Sequence, residues 1–186
     1  MTCIVGIEHE GSVFMGGDSA SVSDRYQIDP GAQRKVFTSG PALFGVSGSW
    51  RLLQVLKYRF TVPDSEASAC SDIEYLCTDF LDELRVCLRS EGLLRTESGI
   101  ETMPGSTILL GYRGRLYSIY DDLQITRTSN NYDAIGCGKH FALGSLYDTR
   151  SDYLPRERLA RALAAAEHHS AGVLSPFNYE TDEGEE

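Results

Sequence analysis

Thr2 is the residue whose chemistry stands out. The chain begins Met1-Thr2-Cys3-Ile4-Val5-Gly6-Ile7. The small side chain of Thr2 permits removal of the initiator methionine, which leaves a threonine with a free α-amino group. A hydroxyl nucleophile and a mild base then sit on one residue. That amine has an ordinary pKa of roughly 7.7–8.0, so a useful fraction is unprotonated near neutral pH. A threonine activated by its own N-terminal amine is a recognised covalent catalyst. Many ordinary chains also begin Met-Thr, so Thr2 alone carries no conclusion.

The elements around Thr2 carry more. The apolar run from Cys3 to Ile7 is followed by Glu8-His9-Glu10-Gly11-Ser12, then by Val13-Phe14-Met15 and Gly16-Gly17-Asp18-Ser19-Ala20. This pattern predicts a β-hairpin that returns Asp18 to the neighbourhood of Thr2. Gln33-Arg34-Lys35-Val36-Phe37 opens another strand, on which Arg34 and Lys35 face opposite sides. Ala42 to Ser49 is an apolar strand that ends in small residues, Gly45-Val46-Ser47-Gly48 among them.

Taken in order, Thr2, Gly-Gly-Asp18, Arg34-Lys35-Val and Gly-Val-Ser-Gly48 resemble the proteasome β subunits and the bacterial proteasome-like heat-shock peptidase. Both belong to the N-terminal nucleophile hydrolase superfamily. The resemblance is closest from Thr2 to Trp50 and thinner from there to about Gly172. It implies that Thr2 is the nucleophile and its α-amine the proton relay. It implies that Lys35 is the strand lysine whose charge lowers the hydroxyl pKa or assists proton transfer, and that Asp18 holds that lysine. It also implies that the Gly48 backbone N–H forms the oxyanion hole. Each residue has an ordinary reading as well. Asp18 can close a turn, Lys35 can be a surface lysine on an edge strand, and Gly48 can cap the next helix.

Two departures from the family pattern stand in the sequence. A serine between glycines is replaced in Gly136-Cys137-Gly138, and cysteine is a poorer hydrogen-bond partner. A small buried residue at a strand-to-helix turn is the plain alternative for Cys137. Late in the chain, Glu167-His168-His169-Ser170-Ala171-Gly172 puts His168 where the family has aspartate and Ala171 where it has serine. Ser170 compensates only after a one-residue shift.

Composition sets the outer limits. The chain has 186 residues and 41% hydrophobic content, which suits one compact domain. The expected domain spans 1–179, followed by an acidic, disordered tail at 180–186. No apolar stretch reaches the roughly 18 residues of a membrane span, and no signal peptide is expected. Nor is an added propeptide expected before Thr2. Five cysteines without CxxC spacing read as reduced thiols in a cytoplasm. A net charge of −10 argues against nucleic acid as partner. His9 and His140 are isolated and His168-His169 reads as a surface pair near a helix end, so no metal is expected. No phosphate loop is present, and no cofactor is expected.

Ser49 is placed to cap a helix through Arg59, and Asp72 one that runs to about Ser90. The segment 95–105 reads as a flexible loop. Strands are expected at 107–112, 115–120, 124–128 and 132–136, and helices at 139–146 and 155–168. A last strand is expected within 173–179, limited to an edge by Pro176. Strands, two helices, strands and two helices indicate an α+β layered domain. The four-layer αββα sandwich of the resembled family, two stacked antiparallel sheets between helix layers, fits this order. The resemblance implies a threonine peptidase acting on peptide or unfolded-protein substrates, a homo-oligomeric ring and a possible ATPase partner. A catalytically silent scaffold or assembly protein of the same fold is the rival, and the Cys137 and His168 departures fit it. A small-molecule amidase of the same superfamily is the third reading.

Overall fold

The computed structural model describes residues 1–22, 28–30, 33–64, 70–149 and 153–182. The chain opens with β1 (Cys3–His9), β2 (Ser12–Gly17), β3 (Ala20–Val22), β4 (Ile28–Pro30), β5 (Val36–Ser39) and β6 (Ala42–Ser47). Helix α1 (Trp50–Tyr58) follows, then α2 (Asp72–Tyr75), a π-helical turn (Leu76–Phe80) and α3 (Leu81–Ser90). Next come β7 (Arg95–Glu97), β8 (Ile100–Thr102), β9 (Thr107–Tyr112), β10 (Arg115–Ile119), β11 (Ile125–Arg127) and β12 (Tyr132–Gly136). Helices α4 (Lys139–Asp148) and α5 (Pro155–His169) precede the last strand, β13 (Asn178–Thr181).

Two antiparallel sheets form the centre. One runs β12-β1-β2-β13 and the other β11-β10-β9-β6-β5. Three buried clusters show how they stack. Ile4, Val13 and Met15 of the first sheet meet Val36, Leu43, Leu109 and Leu116 of the second. Cys3, Val5 and Ile7 turn the other way, onto Ala142, Leu146, Leu159 and Leu163 of α4 and α5. Phe44, Leu110 and Tyr112 pack onto Leu52, Leu56, Leu84 and Leu88 of the remaining helices. The result is the four-layer α+β sandwich. The period-two alternation of β1 is apolar on both sides because helices cover one face and a sheet the other.

Several local expectations need correction. Ser71, not Asp72, caps the second helical segment, its hydroxyl accepting from Glu74 N at 3.4 Å. Asp72 is already helical, and its carboxylate pairs with Arg113 at 3.0 Å. The expected flexible loop at 95–105 contains the hairpin β7–β8. Ser98 and Gly99 at its tip both have positive φ, 53° and 83°, as tight primed hairpin turns require. Glu101 on β8 then ties the hairpin to α3, pairing with Arg85 at 2.7 Å and Arg89 at 2.5 Å.

The ordered chain also runs past Tyr179. Glu180 and Thr181 belong to β13, and Asp182 accepts from Val13 N at 2.8 Å and Gly114 N at 3.3 Å. Burying backbone donors of two other segments under one carboxylate holds these acidic residues in place. The rest of the expected tail, 183–186, and part of the polar connection, 65–69, lie outside the described residues. Among the described residues, no helix is long and apolar enough to cross a membrane.

Candidate active site

Thr2 lies immediately before β1 and is 5% exposed. The pairing of β1 with β12 and β2 sets what surrounds it. Cys3 lies opposite Gly136, and Ile4 opposite Gly17. The turn after β12 therefore reaches Thr2 from one side, and the turn after β2 from the other.

Asp18 occupies the turn after β2, and its side chain is fully buried. Its Oδ1 accepts from Cys3 N at 2.8 Å and from Lys35 Nζ at 2.8 Å. Its Oδ2 accepts from Ala20 N at 2.8 Å and Leu174 N at 3.4 Å. Asp18 thus closes a turn and also holds the lysine. Lys35 enters from the start of β5, with its side chain 3% exposed. Burial pulls its ammonium below the ordinary lysine pKa, and the Asp18 carboxylate opposes that shift. Arg34 points the other way and meets Glu180 at 2.8 Å, as strand alternation requires.

Thr2 Oγ and Lys35 Nζ both donate to the Met1 carbonyl oxygen, at 2.5 and 3.5 Å. Hydroxyl and ammonium therefore converge on one point. Thr2, Lys35 and Gly48 line the same cleft, whose apolar wall includes Ala20, Val22, Val46, Trp50 and Leu53. The Trp50 ring lies under Lys35 Nζ, 5.7 Å from the ring centroid.

Gly48 links β6 to α1 with φ of 106°. A side chain there would collide with the Gly105 carbonyl and with Ser106. The helix cap is Ser49, whose hydroxyl accepts from Leu52 N. Gly48 is thus kept for its backbone conformation, not for capping. Gly48→Ala is expected to lower stability by about 1–3 kcal/mol through backbone strain, and more if the Gly105 loop fails to yield. Urea unfolding measures this, and an unchanged midpoint would show the turn to be pliable.

Cys137 follows the tight turn at Gly136 and is exposed. Its Sγ accepts from Thr2 N at 3.3 Å, donates to Thr2 O at 3.4 Å and lies 3.6 Å from Ser170 Oγ. The plain alternative of a buried small residue therefore does not hold for Cys137, whereas Cys3 is buried. Burial, with Asp18 beside it, pushes the Cys3 thiol up to about 12, which leaves it unreactive.

His168 and His169 form an edge-to-face pair, with His169 stacked on Phe141 at 5.2 Å. No cluster among the described residues has the three or more ligand-type side chains a metal would need. Residues that sequence reasoning did not single out also touch the site. Leu174 reaches Asp18, and Asn178 and Pro176 reach Ser19. The separation of more than 150 residues hid these contacts, although Ser19 beside Asp18 in the Gly-Gly-Asp-Ser turn was a visible signal.

No family model matches the chain. No curated protein matches it either. Solved structures do. The chain is similar to Thiobacillus denitrificans BPH in complex with epoxomicin, at 16% identity and TM-score 0.74, over 97% of each chain. It is similar to eukaryotic HslV from Trypanosoma brucei at 14% identity and TM-score 0.70, covering 97% of this chain and 98% of that one. Anbu, the ancestral β-subunit from Yersinia bercovieri, matches at 13% identity and TM-score 0.67, over 97% of this chain and 81% of the other. The shared architecture is the proteasome-type N-terminal nucleophile fold.

Proposed function

We propose that this chain is a proteasome-type threonine peptidase that uses Thr2 as nucleophile once Met1 is removed. The observation that carries the reading is the convergence of Thr2 Oγ and Lys35 Nζ on one oxygen position, in the cleft lined by Gly48. With Met1 attached, the Thr2 nitrogen is an amide and has no basic lone pair. Once freed, it becomes the base.

The proposed steps then balance. The α-amine takes the Thr2 Oγ proton while Oγ bonds to the peptide carbonyl carbon. The Lys35 charge favours the alkoxide, and the Gly48 N–H donates to the oxyanion, an interaction that supplies roughly 3–4 kcal/mol in other hydrolases. The ammonium passes its proton to the leaving nitrogen as the C–N bond breaks. An ester remains on Thr2. Water, losing a proton to the amine, attacks the ester and releases an acid, and Thr2 Oγ regains its proton. The cleft wall of Ala20, Val22, Val46, Trp50 and Leu53 suits an apolar substrate side chain. Peptide or unfolded-protein substrates, a homo-oligomeric ring, an ATPase partner and a cytoplasmic setting complete the proposal.

The same contacts favour a route to the free amine. Thr2 Oγ is beside the Met1 carbonyl that it would attack, and Lys35 is aimed at the oxygen of that carbonyl. Self-processing by Thr2 is therefore a second route beside methionine trimming.

Cys137 would hold the freed amine in place of the serine. Cys137→Ala is expected to lower kcat about tenfold, the worth of one hydrogen bond at a working atom. Cys137→Ser should restore it. Equal rates in all three proteins would remove Cys137 from the mechanism.

Intact mass and N-terminal sequencing of the untagged protein test the proposal first. A start at Thr-Cys-Ile, followed by covalent labelling with epoxomicin, supports the peptidase. Fully retained Met1 favours the scaffold of the same fold.

A further inference from the structure

The Lys35–Asp18 pair is gripped from both sides by the end of the chain. Ser19 follows Asp18 in sequence, and its N–H donates to the Leu174 carbonyl at 2.8 Å. Its hydroxyl donates to the Pro176 carbonyl and accepts from Asn178 Nδ2 at 3.1 Å. Leu174 N donates directly to Asp18 Oδ2 at 3.4 Å. Arg34 precedes Lys35, and it pairs with Glu180 at 2.8 Å.

The gripping segment is itself fastened away from the site. Ser175 N donates to Glu167 on α5 at 2.6 Å. Residues 178–181 pair with β2, Asn178 opposite Gly17. Asp182 takes the backbone N–H groups of Val13 and Gly114. The segment therefore behaves as a strap, tied at both ends, whose middle touches the two residues flanking the buried pair.

We propose that residues 174–182 position the Lys35–Asp18 pair, with Ser19 and Asn178 as the positioning residues that carry the strap's hold to the Asp18 carboxylate. The inference deepens the Thr2 reading and rests on it for its kinetic consequence. Its effect on the pair itself does not depend on turnover.

The consequence follows from what faces Lys35 Nζ. Asp18 meets it from the turn after β2, while the thiols of Cys3 on β1 and Cys137 before α4 act on it only through their charge. The Met1 carbonyl lies 3.5 Å away and the Trp50 ring 5.7 Å. Arg34, on its own strand, is directed to Glu180 instead. Asp18 is the group that most strongly supports the charge on Lys35 against burial. A loosened Asp18 leaves burial less opposed, and the lysine then gives up its proton at lower pH.

The test uses the full chain labelled with ¹³C at the lysine Cε. The sequence holds three lysines, Lys35, Lys57 and Lys139, and Lys35→Arg assigns the first. Ser19→Ala and Asn178→Ala are each expected to lower the Lys35 titration midpoint by about one pH unit, the effect of a tenfold change in equilibrium. The same variants should lose about tenfold in kcat with KM unchanged. Asn178 is only half-buried, so Asn178→Ala carries the test if Ser19→Ala does not fold. An unmoved midpoint in a folded variant overturns the strap. A wild-type protein that cleaves nothing overturns the peptidase reading, and the titration still decides the strap.

Discussion

Thr2→Ala is expected to remove peptide hydrolysis while the fold survives. The substitution deletes the hydroxyl and one methyl group, and with them the hydrogen bond to the Met1 carbonyl. Nothing in the three buried clusters changes. Removal of the nucleophile from a serine protease costs on the order of 10⁶ in kcat, so turnover should fall to background. Thermal unfolding should drop by no more than several degrees, since losing one buried methyl group and one hydrogen bond costs about 1–2 kcal/mol. Thr2→Ser keeps a hydroxyl on the same backbone and should retain measurable activity. The assay is cleavage of short fluorogenic peptides, with epoxomicin labelling in parallel. Unchanged turnover in Thr2→Ala would exclude the threonine mechanism outright.

Asp18→Ala is expected to produce the second large effect, on stability and rate together. The Asp18 side chain is fully buried and that of Lys35 nearly so. Removing one partner of such a pair leaves the other charge uncompensated, at a cost of about 3–5 kcal/mol. Three backbone N–H groups, those of Cys3, Ala20 and Leu174, lose their acceptor as well. The pH dependence has a definite sign. Burial lowers the folded-state pKa of Lys35, so between that value and the unfolded value of about 10.4 the unfolded chain binds more protons. Stability therefore rises with pH in that window. Asp18→Ala lowers the folded-state value further. The variant's gain therefore begins at lower pH, and its deficit shrinks as pH rises between the variant's Lys35 midpoint and the wild type's. Urea unfolding from pH 7 to pH 10 reads this trend. Activity should fall by at least about a hundredfold, because misplacing a catalytic group by an ångström has that effect. A deficit that is flat with pH would mean that Lys35 has found another counter-charge.

Much of this molecule was legible one segment at a time. Ser49 and its apolar positions marked α1, and the period of 155–168 marked α5 within one residue of its end. The strands at 107–112 and 132–136 lie where their apolar runs and flanking turns placed them. The return of Asp18 toward Thr2 also follows from local pattern, because a short hairpin fixes its own register. What failed failed locally too. Ser98-Gly99 reads as polar and mobile, yet its two positive φ values make a hairpin tip. The π-helical turn at Leu76–Phe80 has no counterpart in a 3.6-residue period.

By itself, the sequence determined most element types, the presence of a hydroxyl at Thr2 and the alternation that sends Arg34 and Lys35 apart. Those properties depend on residue type and on spacing of a few positions. Only the tertiary structure decided that Cys137 meets the Thr2 nitrogen, that Ser170 stands behind Cys137 and that residues 174–182 strap the buried pair. These contacts join segments 33 to 156 residues apart. Strand order and layer stacking bring them together, and no local periodicity encodes either.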